Sequence, residues 1–466
     1  MNLYLGFILA YAAVHLVLGL RLGRRVRTSG DFFVAGRSLG PGLLFATLMA
    51  ANIGAGSTVG AAGLGYRDGL AAWWWVGSAG LGSLALAFAV GPRMRRAAAE
   101  HGLHTVGDYL EQRYSPLLRG VVALLLWVGT LAILAGQLIA AAWVLEVVAG
   151  LPKLAGCVAA GAVMTFYFAA GGLSGAARLN ALQLALELTV FLLLVPFALA
   201  SAGGADAVRA AAPPAADYFS FWSGGGSGLR YLAVLAPAFV VSPGLLQKVF
   251  AARDDRAVRL GVGANAAALL LFAGLPVALG ILARALHPEL PNRELAFPTL
   301  LRHDLPPLLG ALGLAAIFST EVNTADTILF MLSTSLTQDL YRRFLRPQAS
   351  DAELLRTARG TAVLGGALGV ALAVLAESVI GVLTVFYTLL GVSLLVPVLA
   401  GLYVRRAGTP EALAAIGSGL LATLAVPWLR PGGAVSPALA GLAASALGCA
   451  VSLLARFRPA RSASAS

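Results

Sequence analysis

The sequence predicts an all-α polytopic membrane protein of thirteen transmembrane helices, and three observations predict it. Hydrophobic residues make up 59% of 466 and charged residues 12%, with a mean hydropathy of +0.84, whereas soluble domains carry roughly 25% charged residues. Thirteen apolar runs approach or exceed the ~20 residues that a helix needs to span a bilayer. The basic residues between those runs fall mostly on alternate loops, as a membrane orientation requires.

In chain order the runs cover 2–20, 40–64, 70–91, 120–148, 153–171, 180–202, 229–249, 258–286, 306–335, 360–376, 378–404, 410–429 and 436–455. The first lacks a small-residue cleavage site before Arg21 and is expected to remain as a helix. An odd number of spans puts the termini on opposite sides. Of the 33 lysines and arginines, only Arg67, Lys153, Arg209, Arg230, Arg284, Arg293, Arg302 and Arg430 fall on one side. The crowded side is cytoplasmic by the positive-inside rule, so the N-terminus is expected to be extracytoplasmic and the C-terminus cytoplasmic. No second soluble domain fits between the spans. The tail Arg458–Ser466, short, basic and rich in Ser and Ala, is expected to be disordered.

A net charge of +12 and a pI near 10.3 could indicate nucleic acid. Here the charge is scattered in short clusters between apolar runs, with no basic domain, and that excludes it. Cys157 and Cys449 both lie in apolar segments and suggest neither disulfide nor metal. There is no P-loop, kinase signature or zinc-ligand cluster, so the reading is a carrier and not an enzyme. Its implied partners are the lipid bilayer and a small solute, with no obligatory protein partner indicated.

The chemistry lies in polar residues placed at membrane depth, where they are expensive and by default mark an ion or substrate path. The stretch Ala316 to Thr327 crowds hydroxyl, amide and carboxylate oxygens into an apolar run. Thr320, Asn323, Thr324 and Thr327 fall at i, i+3, i+4 and i+7, one helical stripe of the oxygens that hard cations take. This reads as half of a sodium site. The run 40–64 supplies the other half. Asn52-Ile53-Gly54-Ala55-Gly56-Ser57 puts glycines in mid-span, and unwound backbone there is tolerated only where it lines a cavity. Packing of small residues is the alternative reading of Gly54 and Gly56. A second interruption at Ser242-Pro243-Gly244, after Pro237, pairs with the first, and paired broken helices are the best sequence pointer to a transporter's midplane site.

Asn52, Ser57, Gln137, Ser242, Gly244 and Asp326 are therefore read as substrate-binding or gating residues. A helix-internal bond to a neighbouring hydroxyl is the alternative for Asp326. Glu187 is a candidate gate or proton site. Trp73, Trp74 and Trp75 open their segment near the outer surface and read as an interfacial aromatic belt, with substrate stacking as the alternative.

Five motifs in order resemble the sodium:solute symporter family over nearly the whole chain. Asp31-Phe32-Phe33-Val34-Ala35-Gly36-Arg37-Ser38-Leu39 looks like its loop before the first core helix, and Asn52-Ile53-Gly54-Ala55-Gly56 like its broken helix. Thr105 to Tyr114 resembles its cytoplasmic amphipathic turn. Gly171-Gly172-Leu173 with Gln183, and Leu336-Thr337-Gln338-Asp339-Leu340-Tyr341, complete the pattern. The resemblance implies a single transporter domain over 1–466 with a 5+5 inverted-repeat core and discontinuous helices. Residues 1–39 would form an extra helix and loop, 40–202 the first repeat, 229–404 the second, and 405–466 the last helices and tail. It also implies sodium ligands: the backbone carbonyls of Ala50 and Ile53, the carbonyl of Thr320, and the side chains of Asn323 and Thr324. Spacing counted back from Asp339-Leu340-Tyr341 sets this register, and a one-turn shift would make Ser319, with Ala316 and Thr320, the second candidates.

Two positions depart from the family pattern. Asn323 stands where the family usually has a hydroxyl, and Arg178-Leu179-Asn180 where many members have an Asp before the glutamine. The second departure implies one sodium per cycle. The resulting expectation is a sodium-coupled secondary active symporter of the plasma (inner) membrane importing a small organic solute by alternating access. A proton-coupled carrier on Glu187 or Asp326, an uncoupled carrier, and a passive channel or facilitator are the alternatives. The identity of the solute is not legible.

Overall fold

The computed structural model describes residues 3–23, 37–171, 176–213, 217–222, 228–429 and 436–456. The motif residues Asp31–Gly36, Gly172 and Leu173, the side chains of Asn180 and Gln183, and the tail from Arg458 lie outside the described residues. The described residues are overwhelmingly helical, with no strand beyond one isolated backbone bridge. In order the helices are α1 (Leu3–Gly23), α2 (Pro41–Asn52), α3 (Ala61–Asp68), α4 (Trp73–Ala85), α5 (Gly91–His101), α6 (Val106–Arg113), α7 (Pro116–Ala149), α8 (Lys153–Gly171), α9 (Ala176–Ser201) and α10 (Ala205–Ala211). They continue as α11 (Gly228–Val241), α12 (Pro243–Phe250), α13 (Asp255–Phe272), α14 (Gly274–Leu286), α15 (Ala296–His303), α16 (Pro307–Thr334), α17 (Asp351–Leu375), α18 (Val379–Tyr403), α19 (Thr409–Leu429) and α20 (Pro437–Arg456). Each apolar run lies on helix. Among the described residues ten helical stretches are long and apolar enough to cross a membrane, with three shorter apolar helices besides.

Local sequence sets where these helices start. Ser115 caps α7, with Pro116 at the first position, where its missing N–H is no loss. Thr105 and Asp108 form a reciprocal capping box on α6. Asp254, Ser350 and Ser378 cap α13, α17 and α18 with side-chain oxygens. Helix α18 has a second anchor. Glu294, in the connection before α15, accepts from the backbone N–H of Val379 and from the Trp143 indole, at 2.9 and 3.0 Å. A carboxylate suits the positive end of a helix, while its burial pushes the carboxyl pKa up from the ordinary carboxylate value.

The two interrupted helices lie side by side at one end. Leu39 exchanges backbone hydrogen bonds with Ala251 and Arg253, both at 3.0 Å, and Lys248 Nζ donates to the Thr47 carbonyl at 2.8 Å. Around them α4 packs on α11 and α13, α7 on α16 and α18, and α3 on α14. Gly65 and Gly280 let α3 and α14 approach until each meets the other's backbone, with no room for a Cβ. Helices α19 and α20 pair with each other and lean on α18. The site lies inside this ring, where α2 gives way to α3.

Candidate functional site

Helix α2 ends at Asn52 because Ile53 turns extended, with φ −88° and ψ 112°. The backbone resumes helical turns, first wide ones over Gly56–Gly60, then α3. The polar groups released by the break are met by side chains. Gly54 N–H donates to Ser57 Oγ and Ala55 N–H to Gln137 Oε1, each at 2.9 Å. Thr324 Oγ1, from α16, donates to the Ile53 carbonyl at 2.7 Å. Two of the sequence-predicted ligand residues thus meet across the break, their oxygens close enough to share one ion's shell. Gly54 is what permits the approach: a Cβ there would lie 2.7 Å from Thr324 Oγ1 and 2.8 Å from Gln137 Oε1.

The other residues of that set fall nearby. Ala50 is buried one turn before the break. Asn323 is buried beside Thr324. Thr320 is buried, and its hydroxyl bonds back to the Ala316 carbonyl at 2.6 Å. The second-candidate register points elsewhere. Ser319 Oγ donates to Glu187 Oε1 at 3.0 Å and meets the Tyr11 hydroxyl of α1.

A cavity of about 420 Å³ opens on the break. Asn52, Ser57, Gln137 and Thr324 line it, together with Gly54 and Gly56, which matches four of the sequence-predicted residues. Its walls are aromatic and aliphatic: Trp75, Phe239, Tyr387, Leu235, Leu269 and Leu383. Trp75 stands edge-on to Tyr231 and Tyr387, with centroids 5.4 and 6.1 Å apart. For Trp75 the aromatic-belt reading is therefore corrected. Trp75 is 1% exposed and faces the cavity, while Trp74 is buried against Phe221 and Trp222.

Three residues read as substrate-binding or gating do not line this cavity. Ser242 starts α12, its carbonyl accepting from Leu245 and Leu246 N–H at 3.1 and 2.9 Å. Gly244 makes room for Met331 of α16, whose Sδ would lie 2.8 Å from a Cβ. Asp326 has a buried Oδ1 that finds no partner among the described residues. At the second break Gly244 thus admits a side chain of α16, while Pro243 lines a second cavity.

Sequence reading also missed a pair. Glu321, wholly buried, lies with Oε1 3.0 Å from Thr58 Oγ1, and Thr58 bonds the Gly54 carbonyl at 2.9 Å. Thr58 and Glu321 are 263 positions apart, and only the fold brings them together.

A second cavity, of about 490 Å³, sits nearer the Arg-rich end. Thr105, Gly107, Gln247, Thr334, Ser335 and Asp339 are among its lining residues. Beside it Arg119 gathers three carboxylates: Asp339 at 2.6 Å, Glu111 at 2.8 Å and Asp108 at 3.0 Å. Arg343 adds a further ion pair to Glu111. The cluster ties α6, the start of α7 and the extension of α16, Ser335–Leu345, together.

The sequence profile described as "Sodium:solute symporter family" matches residues 32–419. The sodium/pantothenate symporter of Escherichia coli (strain K12) is 29% identical over 461 residues, covering 91% of each chain. The sodium/iodide cotransporter of Homo sapiens is 26% identical over 458 residues, covering 92% of this chain and 69% of its own. In structure, a substrate-bound, outward-open Na+-coupled sialic acid symporter superposes with a TM-score of 0.82 at 17% identity, covering 98% of both chains. That likeness establishes the fold.

Proposed function

This chain belongs to the sodium:solute symporter family, as a multi-pass membrane transporter and not an enzyme, and on that premise we propose that it imports a small organic solute with sodium by alternating access. The proposed ion ligands are the Ala50, Ile53 and Thr320 carbonyls, the Asn323 amide oxygen and Thr324 Oγ1. The observation that carries this reading is the contact of Thr324 with the Ile53 carbonyl at the mouth of the cavity. Ion and solute would then bind against one stretch of backbone, Ile53 to Gly56, and each would favour the arrangement that the other needs. Coupling demands that difference, since an ion with equal affinity for two states shifts neither. One sodium entering down 100 mV supplies ~2.3 kcal/mol electrically.

The proposed architecture has thirteen spans, with 1–39 preceding the core, repeats over 40–202 and 229–404, and 405–466 following them, in the plasma membrane. A reporter fused after Arg461 should read cytoplasmic and one ahead of Asn2 extracytoplasmic. Both ends on one side would refute the span count.

Thr324→Ala should weaken sodium about 5- to 10-fold, since one neutral oxygen is worth about 1–1.5 kcal/mol. Thr324→Ser should stay close to wild type. Sodium titrations of unfolding temperature and of uptake measure both. Equal sodium affinity in all three proteins would remove Thr324 from the site; a response to Ser319→Ala alone would move the site one turn.

A further inference from the structure

The relatives carry cargoes as unlike as pantothenate and iodide, so family membership leaves the solute open, and the cavity at the break is what can narrow it. Its side-chain hydrogen-bonding groups divide into those already engaged and those free. Ser57 Oγ accepts from Gly54 N–H and lies within bonding distance of the Asn52 and Gly54 carbonyls. Thr324 gives its hydroxyl to Ile53, and Asn52 gives an amide N–H to Asn265 Oδ1 at 3.0 Å. Gln137 has its Oε1 taken by Ala55 N–H, which leaves its Nε2. Among the described residues Trp75 Nε1 makes no hydrogen bond, and it lies 3.4 Å from where a Cβ of Gly56 would stand. The Tyr387 hydroxyl, also on the lining, is the third group that makes no hydrogen bond among the described residues.

The free groups are thus an indole N–H, an amide NH2 and a phenol, around Gly54–Gly56. Two of them can only donate, and the third can. Among the described residues Asn52 Oδ1 and the Tyr387 oxygen can accept, and Thr324 Oγ1 keeps lone pairs that the proposed ion would take, so once sodium is bound donor hydrogens outnumber free acceptors on the lining. No carboxylate, lysine or arginine lines the cavity. The buried carboxyls Glu321 and Glu187 bond Thr58 and Ser319 instead. A cation would meet no countercharge here. A sugar needs acceptors about as much as donors. A carboxylate needs donors only, and its bonds are the stronger charge-assisted kind.

We infer that the transported solute is a small organic monoanion, a monocarboxylate, whose carboxylate is held by Trp75 Nε1, Gln137 Nε2 and the Tyr387 hydroxyl while its apolar body lies against Phe239, Leu235 and Leu269. This rests on the cavity being the solute site of the proposed symport. Sodium beside Ile53 would then meet an opposite charge inside the same cavity, and the loaded pair would cross nearly neutral.

The test uses purified full-length protein and a thermal-unfolding readout. The probes are straight-chain monocarboxylates from propionate to octanoate and benzoate, each with its primary amide and its primary amine of equal length, plus glucose, in sodium and in potassium. Carboxylates of fitting length should stabilise in sodium, the matching amides should need roughly tenfold more or worse, and amines and glucose should do nothing. Trp75→Phe keeps the ring and loses the donor, and should cost carboxylates at least roughly fivefold in affinity while leaving the sodium-only shift in place. Gln137→Glu should abolish the carboxylate response. Amides, amines or glucose matching the carboxylates would overturn the inference while sparing sodium coupling, and so would silence from every carboxylate up to its solubility limit. Carboxylates acting equally in potassium would uphold the inference and overturn the coupling.

Discussion

Gly54→Ala is expected to lower sodium-dependent uptake about 100-fold or more while the protein still folds and reaches the membrane. The added methyl would arrive 2.7 Å from Thr324 Oγ1, 2.8 Å from Gln137 Oε1 and 2.9 Å from Thr324 Cγ2. Neither neighbour can retreat without cost. Moving Thr324 uncovers the Ile53 carbonyl, and moving Gln137 uncovers Ala55 N–H, each about 1–3 kcal/mol when buried without a partner. Gly56→Ala makes the control, because the nearest atom there is Leu383 Cδ1 at 2.7 Å, the free end of a flexible side chain. Its effect should be several-fold smaller. Uptake into proteoliposomes, normalised to folded protein by gel filtration, decides between them. Wild-type uptake by Gly54→Ala would show that the break is not on the transport path.

Arg119→Ala should be the most destabilising single change outside the cavity. It would leave Asp339 buried without its charge partner, and removing one side of such a pair costs about 3–5 kcal/mol. The Thr105 hydroxyl would still donate to Asp339 Oδ1, at 2.9 Å, but cannot neutralise it. Adding Asp339→Asn should recover much of the loss, since the pair is then gone and the Thr105 bond can persist. Arg119→Lys should recover less than its charge suggests, because a point charge cannot fork between Asp339 and Glu111 as the guanidinium does. Unfolding midpoints in detergent measure all three. Equal midpoints for Arg119→Ala and wild type would mean the cluster contributes nothing to stability.

The helical runs, the break at Ile53 to Gly56 and the polar stripe that holds Thr324 were legible in the chain. Each rests on local information: hydropathy, glycine in mid-span, or helical spacing. What local sequence does not carry is partnership across distance. Ser242-Pro243-Gly244 looks like the first break in composition, but whether a small residue faces a void or a neighbour depends on Met331, which no local rule predicts. Trp75 was misread because three consecutive tryptophans at a segment start resemble a belt, and only the fold shows that Trp75 is turned inward. Arg119 was counted among the loop charges; its three carboxylates lie on other elements or in a turn that gives no sign of facing it. Glu321 sat unmarked within the polar cluster because Thr58, its partner, lies on the other broken helix.

The Arg119 cluster also has a hydration consequence. If alternating access opens the molecule at its Arg-rich end, α6 and the extension of α16 part, and Arg119 can keep Glu111 and Asp108 while Asp339 is left alone. Asp339 borders the second cavity, whose Gln247 Nε2 and Thr334 Oγ1 are buried without a partner. These groups invite water as soon as the walls separate. Opening on that side is then a swelling step, and its rate should respond to osmotic pressure. Polyethylene glycols too large to enter it should slow it and favour the closed form, whereas a solute small enough to enter with the water should have little effect.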